Sequence, residues 1–110
     1  MNAPFDDPFD PTDYGVDSDE FEELVDIRRH LHAHPELSSE EQETAAFVRD
    51  RLEEYGLDEV ETVADTGVVG LIEGGKPGPT LAWRADIDAL PIQETNDTAY
   101  KSTNAGVMHA

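Results

Sequence analysis

Two short apolar runs, Gly67–Glu73 (GVVGLIE) and Thr80–Ile87 (TLAWRADI), stand on either side of the breaker Gly74–Pro79 (GGKPGP), and they constrain this chain more than anything else in it. Each run is too short for a helix, and GVVGLIE is rich in β-branched residues. The intervening glycines and prolines admit only a turn or loop. Strands that are apolar on both faces suit a sheet covered on both sides, which predicts an α/β layer arrangement with the sheet interior to helices. Val60–Val63 alternates as a shorter strand ahead of them.

The helices to cover such a sheet lie upstream. Asp17 and Glu20 form a capping box, and Phe21, Leu24, Ile27 and Leu31 recur at helical spacing until Pro35 stops the helix. Ser38 and Glu41 suggest a second capping box. Ala45, Val48, Leu52 and Tyr55 make its stripe, and Gly56 supplies a left-handed C-terminal cap. Two helices cannot cover both faces of a growing sheet, so the expected architecture is an incomplete one: two helices, then three or more strands. With 110 residues there is room for one small domain. Residues 1–17, proline- and aspartate-rich without period, read as a disordered acidic arm.

Charge narrows the class of function. There are 26 acidic residues against seven basic ones, a formal net charge of −19, so nucleic acid and anionic membrane surfaces are excluded as natural partners. Seven of the carboxylates lie in the first 20 residues, which leaves the excess spread over the folded part. Only Lys76 and Lys101 are lysines. A surface dense in carboxylates and poor in lysine resembles that of a halophilic protein, whose self-repulsion is screened by salt, with an ordinary acidic protein carrying an acidic arm as the alternative. The chain has no cysteine for a disulfide framework, and its N-terminus has no signal-peptide pattern. A cytoplasmic location is the expectation.

Three stretches could carry chemistry. In RRHLHAHPELSSEE (residues 28–41), His30 and His34 share a helix face at chelating spacing, while His32 points elsewhere; capping the helix C-terminus is the plainer role. In RADIDALP (residues 84–91), Asp86 and Asp88 fall at the C-terminal end of an expected buried strand, where open α/β sheets collect ligands. Their spacing sends both to one side together with Arg84, which would keep them ionised. A structural Arg–Asp network closing the strand end fits the spacing equally well. In GVMHA (residues 106–110), His109 alone says little.

Together with TGVVG, these stretches occur in the order and at the intervals of a known group, and over about residues 24–110 the chain resembles the N-terminal portion of the metal-dependent amidohydrolases. That family includes N-acyl-amino-acid amidohydrolases, hippurate hydrolases and auxin-conjugate hydrolases. The resemblance implies that residues 18–110 are part of an α/β/α catalytic domain. It also implies hydrolysis of an N-acyl amino acid, with paired divalent cations (zinc, manganese or cobalt) activating water and polarising the carbonyl. In the family, the stretch matching GVMHA continues into Cys-Gly-His-Asp, so the resemblance places no metal ligand on this chain. The expectation is a truncated, inactive fragment whose partner is the remainder of the enzyme. Asp88, and less so Asp86, would then orient ligand side chains from beneath the site. A free-standing acidic interaction module and a small histidine-based metal binder remain as alternatives.

Overall fold

A computed structural model describes residues 9–110, so residues 1–8 of the expected disordered arm lie outside the described residues. The described part of that arm has local order. Asp10 caps a single 3-10 turn, Pro11–Tyr14, by accepting from the Thr12 amide, and Gly15 closes it at φ 78°. Phe9 stacks on Tyr14 at 5.5 Å and meets Phe21 of the next helix at 5.3 Å.

Helix α1 spans Ser18–Ala33 and begins as its sequence dictates. Asp17 accepts from the Glu20 amide at 2.8 Å and the Glu20 carboxylate accepts from the Asp17 amide at 3.2 Å, which satisfies two N-terminal donors reciprocally. It ends ahead of Pro35. Its last carbonyl is taken up from far along the chain: the Thr103 amide and hydroxyl both donate to Ala33 O, at 2.9 and 2.7 Å. Asn104 Nδ2 adds a bond to Pro35 O at 3.2 Å.

Helix α2 spans Gln42–Glu54, and its start differs from expectation. Ser38 and Ser39 are used in a turn, with Ser39 at φ 69° and the Glu40 amide bonded to Leu37 O. Ser38 therefore caps nothing, and Glu41 makes no capping hydrogen bond. Instead the Glu36 carboxylate accepts from the amides of Glu43 and Thr44 and from the Thr44 hydroxyl. Glu41 is buried, where it accepts from Thr66 Oγ1 and ties the helix to the turn of the following hairpin. Gly56, at φ 73°, ends the helix as expected.

Strands β1 (Glu59–Val63) and β2 (Gly67–Leu71) pair antiparallel, with Glu59 opposite Leu71 and Val63 opposite Gly67. Helix α2 covers one face of this hairpin. Arg49 reaches Thr62 Oγ1 at 2.8 Å and Val60 O at 3.4 Å, and the side chains of Leu52 and Leu57 press on Gly70, which has no Cβ to obstruct them. The other face is open, with Val63 and Val69 exposed.

The expected third strand does not form. Thr80–Ile87 has no regular secondary structure, and residues 74–88 make no backbone-to-backbone hydrogen bond among the described residues. Leu81 and Trp83 are 88% and 91% exposed, so the buried strand expected here is an uncovered segment. Apolar alternation states what a segment can pair with, but a ladder needs a neighbour, and no other described segment lies alongside.

Elsewhere three distant segments run side by side. Leu37 bridges Ala89 in parallel, and Leu90 bridges Met108 antiparallel through bonds of 2.9 and 3.0 Å. The Ala89 amide also donates to Glu36 O at 2.8 Å. Pro35, Ala89 and Val107 are buried here. This junction brings the RADIDALP and GVMHA stretches against α1. No helix among the described residues is long and apolar enough to cross a membrane.

Candidate functional site

A cleft of about 520 Å³ opens beside the junction, between α1 and the last residues of the chain. Leu24, Ile27 and Leu31 form its apolar wall, and Asp86, His32 and His109 bring polar groups to it. The helix stripe read from sequence therefore faces this cleft and is only partly covered, with Leu24 exposed.

His32 is its best-anchored member. Its Nε2 lies 2.9 and 3.1 Å from the two carboxylate oxygens of Glu94, whose side chain is only 2% exposed. Glu94 also accepts from the Ser102 amide at 2.6 Å and from Asn96 Nδ2 at 3.1 Å. Buried in this way, a carboxylate persists only because donors surround it. The Ser102 amide first, then His32 and Asn96, hold the Glu94 carboxyl down at about 2. The ring of Tyr100 meets His32 edge-on at 5.8 Å, and Arg29 lies over the Tyr100 face at 4.8 Å. Neither Glu94 nor this use of His32 was read from the sequence. Glu94 stands among the polar residues Gln93, Thr95 and Asn96, with no partner at helical or strand spacing, so no local signal marked it.

His109 lines the same cleft, and its Nε2 is shielded from solvent without a hydrogen-bond partner among the described residues. Burial pushes the His109 imidazole below its ordinary value and the charge of His32 adds to this, while the backbone and carboxylate of Asp88 pull it up. Asp88 is thus close enough to His109 to act on it. Asp86 is bonded to Arg84 at 2.7 Å, as its spacing suggested. Both partners are largely exposed, so this pair contributes little to stability. The structure accordingly brings Asp86, Asp88, His32 and His109 to one region, on an exposed segment instead of a strand end.

His30 and His34 do not form a chelating pair. Their rings pack against each other with centroids 4.4 Å apart, and His30 also stacks on Phe47 at 4.2 Å. His34 Nδ1 is bonded to His30 O at 2.8 Å, which caps the last turn of α1. Burial lowers the pKa of His30, and the neighbouring His34 and Arg51 lower it further. Among the described residues no group of three His, Asp or Glu side chains is placed to hold a metal ion, so those residues do not fit a dinuclear metal centre by themselves.

No family model matches the sequence. Individual proteins match it closely. It is 51% identical over 88 residues to the N-acetyl-L-cysteine deacetylase of Bacillus subtilis, a match covering 80% of this chain and 21% of that protein. It is 49% identical over 88 residues to an N-acyl-L-amino acid amidohydrolase of Geobacillus stearothermophilus, covering 80% and 24%. An IAA-amino acid hydrolase of Arabidopsis thaliana is 50% identical over 90 residues, covering 82% and 20%. In three dimensions the chain superposes on a dinuclear metal-binding peptidase of the M20 family from Bacillus subtilis with a TM-score of 0.79 at 45% identity, over 84% of this chain and 26% of that one. The chain spans about a fifth to a quarter of the length of the relatives it matches. Over that span the chain shares about half its residues with these amidohydrolases, and its fold with one segment of the M20 peptidase.

Proposed function

We propose that this polypeptide is the N-terminal part of an amidohydrolase that cleaves the amide bond between an acyl group and an amino acid, and that it is inactive by itself. The observation that carries the reading is the roughly 50% identity to enzymes named for that reaction, continuous across 88–90 residues. The divalent cations of the complete enzyme, zinc, manganese or cobalt, would be held by side chains that this chain does not contribute. No step through them is assigned to its residues. Its own contribution is positional: α1 and the buried His32–Glu94 pair fix the 94–109 loop, and Asp88 next to His109 orients the chain where it enters the centre. Asp86 has a lesser part, since its carboxylate is occupied by Arg84. We assign the enzyme to a salt-rich cytoplasm, a reading supported by the −19 charge and the absence of cysteine.

The test is a chimera in which residues 18–110 replace the matching segment of the Bacillus deacetylase. Chelator-sensitive hydrolysis of N-acetyl amino acids by the chimera, with none by the 110-residue chain, is the expected result. A folded, metal-loaded chimera without activity would overturn the substrate assignment. Chelator-sensitive cleavage by the chain alone would overturn its inactivity.

A further inference from the structure

We propose that Phe9–Val16 is a salt-gated strap, closed on the first turns of α1 through the rings of Phe9, Tyr14 and Phe21 at high ionic strength and released from them at low. The inference rests on the geometry and charge of this segment and is independent of the proposed reaction. The motifs shared with the amidohydrolases begin downstream of it, at Arg28.

The segment is built to move as one piece. Asp10 accepts from the Thr12 amide at 2.9 Å and from its hydroxyl at 2.6 Å. The Gly15 amide donates to Thr12 O at 3.2 Å and the Val16 amide to Pro11 O at 3.1 Å. All of these bonds are internal to the segment, and among the described residues no hydrogen bond or ion pair joins residues 9–16 to α1. The two are held together by the ring of Phe9, 5.3 Å from Phe21 and stacked at 5.5 Å on Tyr14. Phe9 is 61% and Tyr14 74% exposed, so the contact that closes the strap is a small one.

Charge of one sign opposes it. Closure brings Asp10 and Asp13 to the helix start that carries Asp17, Asp19, Glu20, Glu22 and Glu23, and Arg28 is the first basic side chain along the chain. The hydrogen bonds from Thr12 hold the Asp10 carboxyl below its ordinary value, so it keeps its charge. Asp17 and Glu20 are offset by the amides of the capping box. Asp13, Asp19 and Glu22 have no such partner among the described residues, and Asp19 and Glu22 stand at like-charge helical spacing. Carboxylates at this density repel across the roughly 10 Å screening length of 0.1 M salt, and far less across the roughly 3 Å of 1 M salt. A small apolar closure set against a screenable repulsion is an equilibrium whose position ionic strength decides.

The consequence reaches the cleft. Phe21 begins the stripe that continues through Leu24, Ile27 and Leu31, the apolar wall of the cleft. Closed, the strap covers the first residue of that stripe. Released, it leaves Phe21 bare and the first turn of α1 free to fray.

The test is nuclear magnetic resonance on the 110-residue chain and on a chimera in which residues 1–110 replace the matching part of the Bacillus deacetylase. The 15N heteronuclear NOE of Thr12, Gly15 and Val16 is compared with that of Ile27 in α1, at 0.1 M and 1 M KCl. We expect the strap amides to reach the helix level at 1 M and to fall well below it at 0.1 M, with the Phe9–Phe21 ring NOE several-fold weaker at the lower salt. Phe9→Ala should leave the strap mobile at both concentrations. The triple variant Asp13→Asn, Asp19→Asn, Glu22→Gln should close it at 0.1 M. A strap equally ordered at both salts beside an ordered α1 would overturn the proposal, as would a triple variant that keeps the full salt response. Loss of Ile27 order together with the strap at 0.1 M would also overturn it, since salt would then act on the whole fold; that result would leave the salt-rich assignment standing. A strap that responds while the thermal midpoint does not would remove that assignment and keep the strap.

Discussion

Nε2 of His32 and Oε2 of Glu94 meet at 2.9 Å across 62 residues of sequence, and this contact joins helix α1 to the loop that leads to His109. The carboxylate is almost fully enclosed, so its donors determine whether the loop stays in place.

Acid should therefore release this loop. The Glu94 carboxyl sits at about 2 in the fold against an ordinary 4.5, so its contribution is fully present above about pH 4.5 and is lost as pH falls toward 2. Glu94→Gln should be less stable than the parent at pH 6 to 7, with the gap closing between pH 4.5 and 2. Denaturant midpoints of both proteins across that range check this. A gap independent of pH would remove the carboxylate from the account.

The start of α2 offers a sharper comparison. Glu36→Ala removes the acceptor for two amides and a hydroxyl and should cost about 1–2 kcal/mol, the size of a lost helix cap. Ser38→Ala should stay within about 0.5 kcal/mol, as for a surface position. Urea unfolding of the pair decides between the observed cap and the serine cap that the local pattern suggests.

At Gly56 the backbone is left-handed, with φ 73°, and open space surrounds the position where a Cβ would stand. Gly56→Ala should cost about 1 kcal/mol through backbone strain alone, and Gly56→Asn less, since Asn tolerates this conformation. Equal costs for the two variants would argue against a conformational cause.

Salt should stabilise the fold. With −19 of formal charge, raising KCl from 0.1 M to 1 M shortens the screening length from about 10 Å to about 3 Å and should raise the midpoint of thermal unfolding. Calorimetry at the two concentrations measures it, and an unchanged midpoint would refute the halophilic reading.

Within the chimera, Asp88→Asn should lower kcat about 10–100-fold, the range for residues that orient metal-site ligands, and Asp86→Asn should lower it less. Steady-state rates with metal content measured in parallel separate this from loss of fold.

What could be read from the sequence followed the range of each interaction. Asp17 with Glu20, Pro35 and Gly56 act within a few residues, and α1 and the end of α2 came out as their local chemistry dictates. Ser38 misled because a local turn claimed it while Glu36 reached forward to cap α2. Strands β1 and β2 were legible one by one but not their antiparallel pairing, and Thr80–Ile87 was read as a strand although it forms none, since pairing depends on a neighbour that no local pattern supplies. His32 and Glu94 were missed for the same reason, and His30 with His34 had chelating spacing without chelating geometry.

The carbonyl end of α1 is closed by Thr103, 70 residues downstream. On a ribosome that helix emerges long before its seal, so a nascent chain halted anywhere ahead of Thr103 carries α1 with a frayed end. Closing so long a loop is slow compared with helix growth. The final locking of this segment is therefore set by how soon its last residues are made, and synonymous codons that slow translation near position 100 would lengthen the time the helix spends unsealed.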